Sequence, residues 1–274
     1  MTAFTKMHGL GNDFALFDAR GGPFALDPAA VARLADRRRG IGFDQLVLVE
    51  PAEGADARLR FFNADGSESG ACGNGTRCAA RWLAERTGRR RLVLEAGGDR
   101  LTAEVHDDGS VTVAMPEPRF DWREIPLAEP RDPDRLAGLA PGLPPGWALS
   151  MGNPHLVFFV EDPDAPEVAR LGATLERHPL FPERVNVGFA RILAPDRIRL
   201  RVHERGVGLT PACGSGACAA AVAARRAGLV RDRVRIILDG GELEISWPGA
   251  GPVHMRGPAV TVYEGRLHPD VLGA

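Results

Sequence analysis

Lysine is almost absent from this chain. Of its 34 basic residues only Lys6 is a lysine. A pyridoxal cofactor needs a Schiff-base lysine, and one candidate beside a glycine-rich turn speaks against such a cofactor. Net charge is nearly absent too, at −2, which gives no footing for nucleic acid or an anionic membrane surface. No apolar run approaches the roughly 18 residues that a membrane span requires. The opening Met1–Lys6 lacks the charged and then apolar pattern of an export signal, so the expected location is the cytoplasm, where thiols stay reduced. Cysteine is sparse: Cys72, Cys78, Cys213 and Cys218. Structural zinc sites draw on closely paired ligands. The spacings 72 to 78 and 213 to 218 do not fit that pattern, so no metal is expected.

The four cysteines sort into two kinds. Cys72 opens the turn Cys72-Gly73-Asn74-Gly75, and Cys213 opens Cys213-Gly214-Ser215-Gly216. An alanine-rich run that reads as a helix follows each. Cys78 and Cys218 fall inside those runs and are expected to be small buried hydrophobes. The two turns lie 141 residues apart, and the offset recurs. Gly11-Asn12 matches Gly152-Asn153, Gln45 matches Asn186, Arg58-Leu59-Arg60-Phe61 matches Arg199-Leu200-Arg201-Val202, and Asn63 matches Glu204. One register shared by several separate polar turns and strand ends marks an internal duplication.

Periodicity and turn chemistry supply the elements. Strands are predicted at Phe14–Phe17, Gln45–Glu50, Ala57–Phe62, Leu92–Leu94, Leu101–Val105 and Val111–Met115. Asp27-Pro28 predicts a helix running to about Arg38, and a second helix should run from about Asn74 to Arg86, closed by Gly88. A proline-rich stretch over 116–145 reads as a crossover. The pattern restarts with Leu156–Val160 and Arg199–Val202. The expected class is α+β, with two pseudo-symmetric domains about a two-fold axis. Each is a mixed, mainly antiparallel sheet wrapped round a central helix. The first spans 1–115, with the tail 261–274 returning to it, and the second spans 116–260.

A thiol just before a helix faces the positive end of the dipole and several backbone N–H groups. That should lower its pKa. The glycines let backbone approach a ligand, and the same N–H groups can hold a carboxylate. Two such units on either side of a carbon could invert a stereocentre, one thiolate taking a proton and the other thiol returning one. The polar lining is asymmetric: Asn63 is neutral and Glu204 acidic, and His155 has no histidine in the matching place. Such a lining suits a substrate with two unlike ends.

Several longer motifs now bear on identity: Met7-His8-Gly9-Leu10-Gly11-Asn12-Asp13-Phe14, Asn63-Ala64-Asp65-Gly66-Ser67-Glu68, Gly152-Asn153-Pro154-His155, Val185-Asn186-Val187-Gly188, and Glu204-Arg205-Gly206 through Cys213-Gly214-Ser215-Gly216. With them the chain resembles the diaminopimelate epimerase family over essentially its whole length. The resemblance implies an epimerase that interconverts LL- and meso-diaminopimelate for lysine and peptidoglycan-precursor synthesis, with no cofactor. It implies that Cys72 and Cys213 are the acid–base pair. Substrate would be bound by Asn12, Gln45, Asn63, Asn153, Asn186, Glu204 and Arg205, and by backbone at Gly73-Asn74 and Gly214-Ser215. His155 and Glu204 would tune the thiols. Relatives are dimeric with a tyrosine at the contact, which implies a homodimer through Tyr263. Leu209 departs from the family's usual acidic residue. Other readings from the residues are a proline or hydroxyproline racemase-like enzyme and a non-catalytic zinc- or ligand-binding module.

Overall fold

A computed structural model describes residues 2–22, 26–70 and 72–272. Ala71, which precedes the first cysteine turn, lies outside them. The chain divides into two compact units. Unit 1 is Met1–Ala114 with Gly257–Ala274, and unit 2 is Met115–Arg256.

Unit 1 begins with β1 (Ala3–Gly9), β2 (Asn12–Asp18), α1 (Pro28–Ala35), β3 (Gln45–Glu50), β4 (Ala57–Asn63) and the short β5 (Glu68–Ser69). It continues with α2 (Gly73–Thr87), β6 (Arg91–Ala96), β7 (Asp99–Val105) and β8 (Val111–Met115). Unit 2 opens with β9 (Trp147–Ser150), β10 (Pro154–Phe159), α3 (Val168–Glu176), β11 (Asn186–Ala194), β12 (Arg197–Glu204) and β13 (Gly208–Thr210). Then come α4 (Gly214–Arg226), β14 (Arg233–Leu238), β15 (Gly241–Ser246) and β16 (Val253–Gly257). The chain returns to unit 1 through β17 (Val260–Arg266), which pairs antiparallel with β1, and α5 (Pro269–Leu272).

Strand pairing repeats between the units. β2 lies parallel to β3 with Phe14 opposite Gln45; β10 lies parallel to β11 with His155 opposite Asn186. β3 and β4 pair antiparallel with Leu46 opposite Phe62, and β11 and β12 do so with Val187 opposite His203. Every one of these positions is shifted by 141. The sheets are mixed and mainly antiparallel, as expected. Each packs round one long helix: α2 touches β1, β2, β3, β4, β6 and β7, and α4 touches β9 to β12, β14 and β15. Ten of the thirteen residues of α4 are buried, nearly all alanine or glycine, so this helix is central because its small side chains let strands close on it.

Local chemistry sets the helix ends. α1 starts where Asp27 accepts a hydrogen bond from Ala30 N with Pro28 in the first turn, and it buries Ala30, Val31, Leu34 and Ala35. It stops at Ala35, short of the expected Arg38. Asp36 turns extended, and its carboxylate takes the N–H groups of Arg38 and Arg39, offering the backbone an alternative to the helix. α2 ends at Gly88, which is left-handed at φ 73°. The sequence reading gives no element at α3, because Glu167 makes no capping bond and supplies no start signal. The repeat would have found it: α1 shifted by 141 falls on 169–176.

Candidate active site

Cys72 is the N-cap of α2. Its extended backbone turns the thiol back over the first helical turn, where Gly75 N donates to Sγ at 3.5 Å. Gly75 must stay bare, since a Cβ there would stand 2.6 Å from the Phe61 ring. Asn12 Oδ1 lies 3.9 Å from Sγ and accepts from Asn74 Nδ2 at 3.2 Å. Asn74 Oδ1 in turn accepts from the fully buried Arg77 at 2.8 Å, and Arg77 also reaches Pro258 O. The Asn12 amide is oriented from behind by Asp44, whose carboxylate accepts its Nδ2 at 2.9 Å. A carboxylate only accepts, so the oxygen of Asn12 must face the thiol.

Asp44 belongs to an ionic clamp. It accepts from Asp13 N and Arg37, and Asp13 binds Arg37 through both oxygens. The one lysine, Lys6, is buried and donates to Asp13 and to Gly42 O. Burial pushes the Asp13 carboxyl up, but the bonds and charges of Arg37 and Lys6 outweigh it and hold the group well below the usual carboxylate range. Close by in sequence, Gln45 Nε2 donates to Asn63 Oδ1 (2.9 Å) and Ser69 Oγ (3.2 Å), and Asn63 Nδ2 donates to Ser67 Oγ (3.0 Å).

Cys213 likewise holds the N-cap position of α4 with an extended backbone, but its thiol makes no side-chain capping bond and sits deeper, at 4% exposure. Its Sγ is 3.8 Å from Ser215 Oγ. Burial, and then the Glu204 charge, push this thiol well above its ordinary pKa, while the Gly216 amide and the Ser215 hydroxyl only partly oppose them. The expected lowering by the helix N-terminus is therefore reversed here: desolvation outweighs the dipole. Glu204 also accepts from Thr210 Oγ1.

Around it, Asn186 Nδ2 donates to Pro154 O at 3.1 Å and its Oδ1 accepts Arg205 N at 2.9 Å. The Arg205 guanidinium rests on Glu183 O at 2.9 Å. His155 is buried, and its Nε2 meets Asn153 Oδ1 at 3.0 Å. Burial, with Arg205 second, pushes His155 down to about 3, so it is a neutral imidazole at pH 7.

Unit 1 thus gathers Cys72, Asn12 and Asn74 in one cluster and Gln45 with Asn63 in another. Unit 2 gathers Cys213, Glu204 and Ser215, and separately Asn186 with Arg205 and His155 with Asn153. Gly73 and Gly214 are the first residues of α2 and α4. Tyr263 lies on β17, 45% exposed, edge-on to Phe4 at 6.0 Å. Cys78 is fully buried, with its thiol pushed up to about 12 by that burial. The four cysteines are thiols. Among the described residues no three His, Cys, Asp or Glu side chains converge as a metal site. Asp44 and Arg77 escaped the sequence reading. Asp44 adjoins Gln45 and carried no spacing signal, and Arg77 hides inside a helix where arginine is ordinarily a surface residue.

The diaminopimelate epimerase family model matches residues 4–120 and 147–262. The diaminopimelate epimerase of Acidiphilium cryptum is 54% identical over 98% of this chain and 97% of the relative. That of Phenylobacterium zucineum is 53% identical over 96% and 97%. Among solved structures, a Bacillus anthracis phenazine biosynthesis protein of the PhzF family superposes with a TM-score of 0.70 at 17% identity, covering 97% of this chain and 99% of that one. A probable proline racemase from Agrobacterium radiobacter gives 0.69 at 18% identity over 99% and 96%. At such identities these two share the fold alone. The family match and the close relatives, over nearly the full length, show that the chain belongs to the diaminopimelate epimerase family.

Proposed function

We propose that the chain is an amino-acid isomerase that interconverts LL- and meso-diaminopimelate with two thiols and no cofactor. The observation that carries this reading is the matched placement of Cys72 and Cys213, each capping the central helix of its unit at the same register. Relatives about half identical to this chain bear that activity in their names. The racemase-like alternative rests on a shared fold at 16–18% identity and is not favoured.

In this scheme one cysteine, as thiolate, removes the α-proton, and the electron pair passes toward the adjacent carboxylate. The other cysteine, as thiol, returns a proton from the opposite face. The N–H groups at Gly73-Asn74 and Gly214-Ser215 hold the carboxylate as its charge grows. The raised pKa of Cys213 makes it a proton donor in the resting molecule. A substrate ammonium beside Glu204 would offset that carboxylate and ease the thiol toward its base form. Asn12, Gln45, Asn63, Asn153, Asn186 and Arg205 would grip the distal amino-acid end, with His155 as a neutral hydrogen-bonding partner. The enzyme would act in the cytoplasm; among the described residues no helix is long and apolar enough to cross a membrane. A second copy would dock on β17, where Val260, Val262 and Tyr263 are exposed, and light scattering of Tyr263→Asp against wild type tests that: the variant should be monomeric. Incubation with LL-diaminopimelate and chiral analysis of the product tests the activity. Formation of the meso isomer is expected, and an unchanged LL substrate would reject it.

A further inference from the structure

Glu176 stands out in unit 2. It is the last residue of α3, it is 4% exposed, and it puts a carboxylate at the negative end of a helix dipole. Neither burial nor the dipole favours a carboxylate there, so the stability of α3 does not account for it. Its Oε1 accepts the N–H of Gly206 at 3.0 Å. The charged or titratable groups facing it are Arg184, with Nη1 at 3.6 Å from Oε1, and His203, with Nδ1 at 3.7 Å from Oε2. The latter distance exceeds a hydrogen bond. The buried His203 Nδ1 has no hydrogen-bond partner among the described residues.

The duplication shows how unusual this is. Positions 176 and 203 match 35 and 62, which are Ala35 and Phe62, both in the apolar core of unit 1. A hydrophobic pair in one half is thus an ionisable pair in the other. The neighbouring turns differ in a complementary way. In unit 1 the turn after β4 clamps itself: Asp65 accepts from Ser67 N and Ser67 Oγ. In unit 2 the matching residues are Gly206 and Gly208, both left-handed, with φ of 78° and 102° and no side chain to do this. That turn is held from outside instead, by Asn186 on Arg205 N and by Glu176 on Gly206 N.

We infer that Glu176 is a positioning residue that fixes the Glu204-Arg205 turn, so that both side chains are preset for the distal and ammonium groups of the substrate. The inference rests on the epimerase reading for its substrate and on the fold alone for the clamp. Three variants test it: Glu176→Ala, Glu176→Gln and the double variant Glu176→Ala/His203→Phe, which restores the apolar pair of unit 1. The readouts are thermal melting, amide exchange at Gly206 by NMR, and KM and kcat for LL-diaminopimelate.

Glu176→Gln keeps an acceptor for Gly206 N and should match wild type in all three. Glu176→Ala and the double variant should exchange Gly206 faster and raise KM roughly tenfold, with kcat little changed. The double variant should melt no lower than wild type, so its KM cannot be ascribed to unfolding. Wild-type KM and Gly206 protection in the double variant would overturn the inference, as would a Gln variant as impaired as the Ala variant. If the wild-type chain leaves diaminopimelate unchanged, the epimerase reading fails, while Gly206 exchange still decides the clamp.

Discussion

The two halves share strand pairing and helix caps, yet they place their polar clamps behind different turns. At position 13 the first half has Asp13, locked by Lys6 and Arg37; at the matching place the second has Pro154. Asp44 orients Asn12, and its counterpart is the buried Val185. Conversely, Ala35 and Phe62 of the first half become Glu176 and His203 in the second. Buried ionic groups add little net stability on average, so their exchange between matching sites points to the turns they hold. In unit 1 the clamp fixes Asn12 against Cys72. In unit 2 it fixes the turn that carries Glu204, which bears on Cys213. One scaffold thus serves two thiols whose surroundings are not alike.

The comparison can be broken most severely at the thiols. Cys72→Ala and Cys213→Ala should each lower epimerisation by about 10³-fold, measured by chiral product analysis. Substantial activity in either would end the equivalence of the two caps. Next in size, Lys6→Met leaves Asp13 short of a buried partner and should cost about 3 kcal/mol in urea unfolding. The acid side sharpens this clamp. Asp13 has its pKa depressed in the folded state, so it adds stability above the unfolded carboxylate value near ~3.9 and loses it as pH falls through the folded value. Asp13→Asn should therefore be less stable at neutral pH and show a flatter decline in acid, read from melting temperature against pH.

Gly75→Ala and Gly216→Ala should each cost about 1–3 kcal/mol by overpacking, but through different neighbours. The first meets Phe61; the second meets Val202 at 2.9 Å and the Cys213 sulfur at 3.1 Å. The second sets its added carbon directly against a sulfur and should slow the alkylation of Cys213, whereas the first can reach Cys72 only by shifting the Gly75 amide that donates to it. Smallest is Glu204→Gln. Loss of that charge should lower the Cys213 pKa and speed its alkylation at neutral pH, leaving Cys72 unchanged; mass spectrometry of labelled peptides reads both.

Much of this was legible because the repeat is. The shared offset locates Cys72 with Cys213, Gln45 with Asn186, and the equivalent pairing of β2–β3 and β10–β11. The cap chemistry of Asp27-Pro28 and Gly88 marks helix ends directly. What escaped depends on tertiary burial. A cysteine before a helix reads as an activated thiol, and only its enclosure reverses that at Cys213. Glu176 carries no signal in the sequence, because α3 itself has no capped start to mark it. Its role emerges only when its burial and its match to Ala35 are seen together. Asp36 ended α1 early through a side-chain competition that periodicity does not register.

The most direct test of two thiols acting from opposite faces is a single turnover of LL-diaminopimelate in heavy water. Meso product carrying solvent deuterium at the inverted carbon, beside unreacted substrate that keeps its original hydrogen, is the predicted result. Product that retains the substrate's own hydrogen would mean that one group both takes and returns the proton, and would contradict the account.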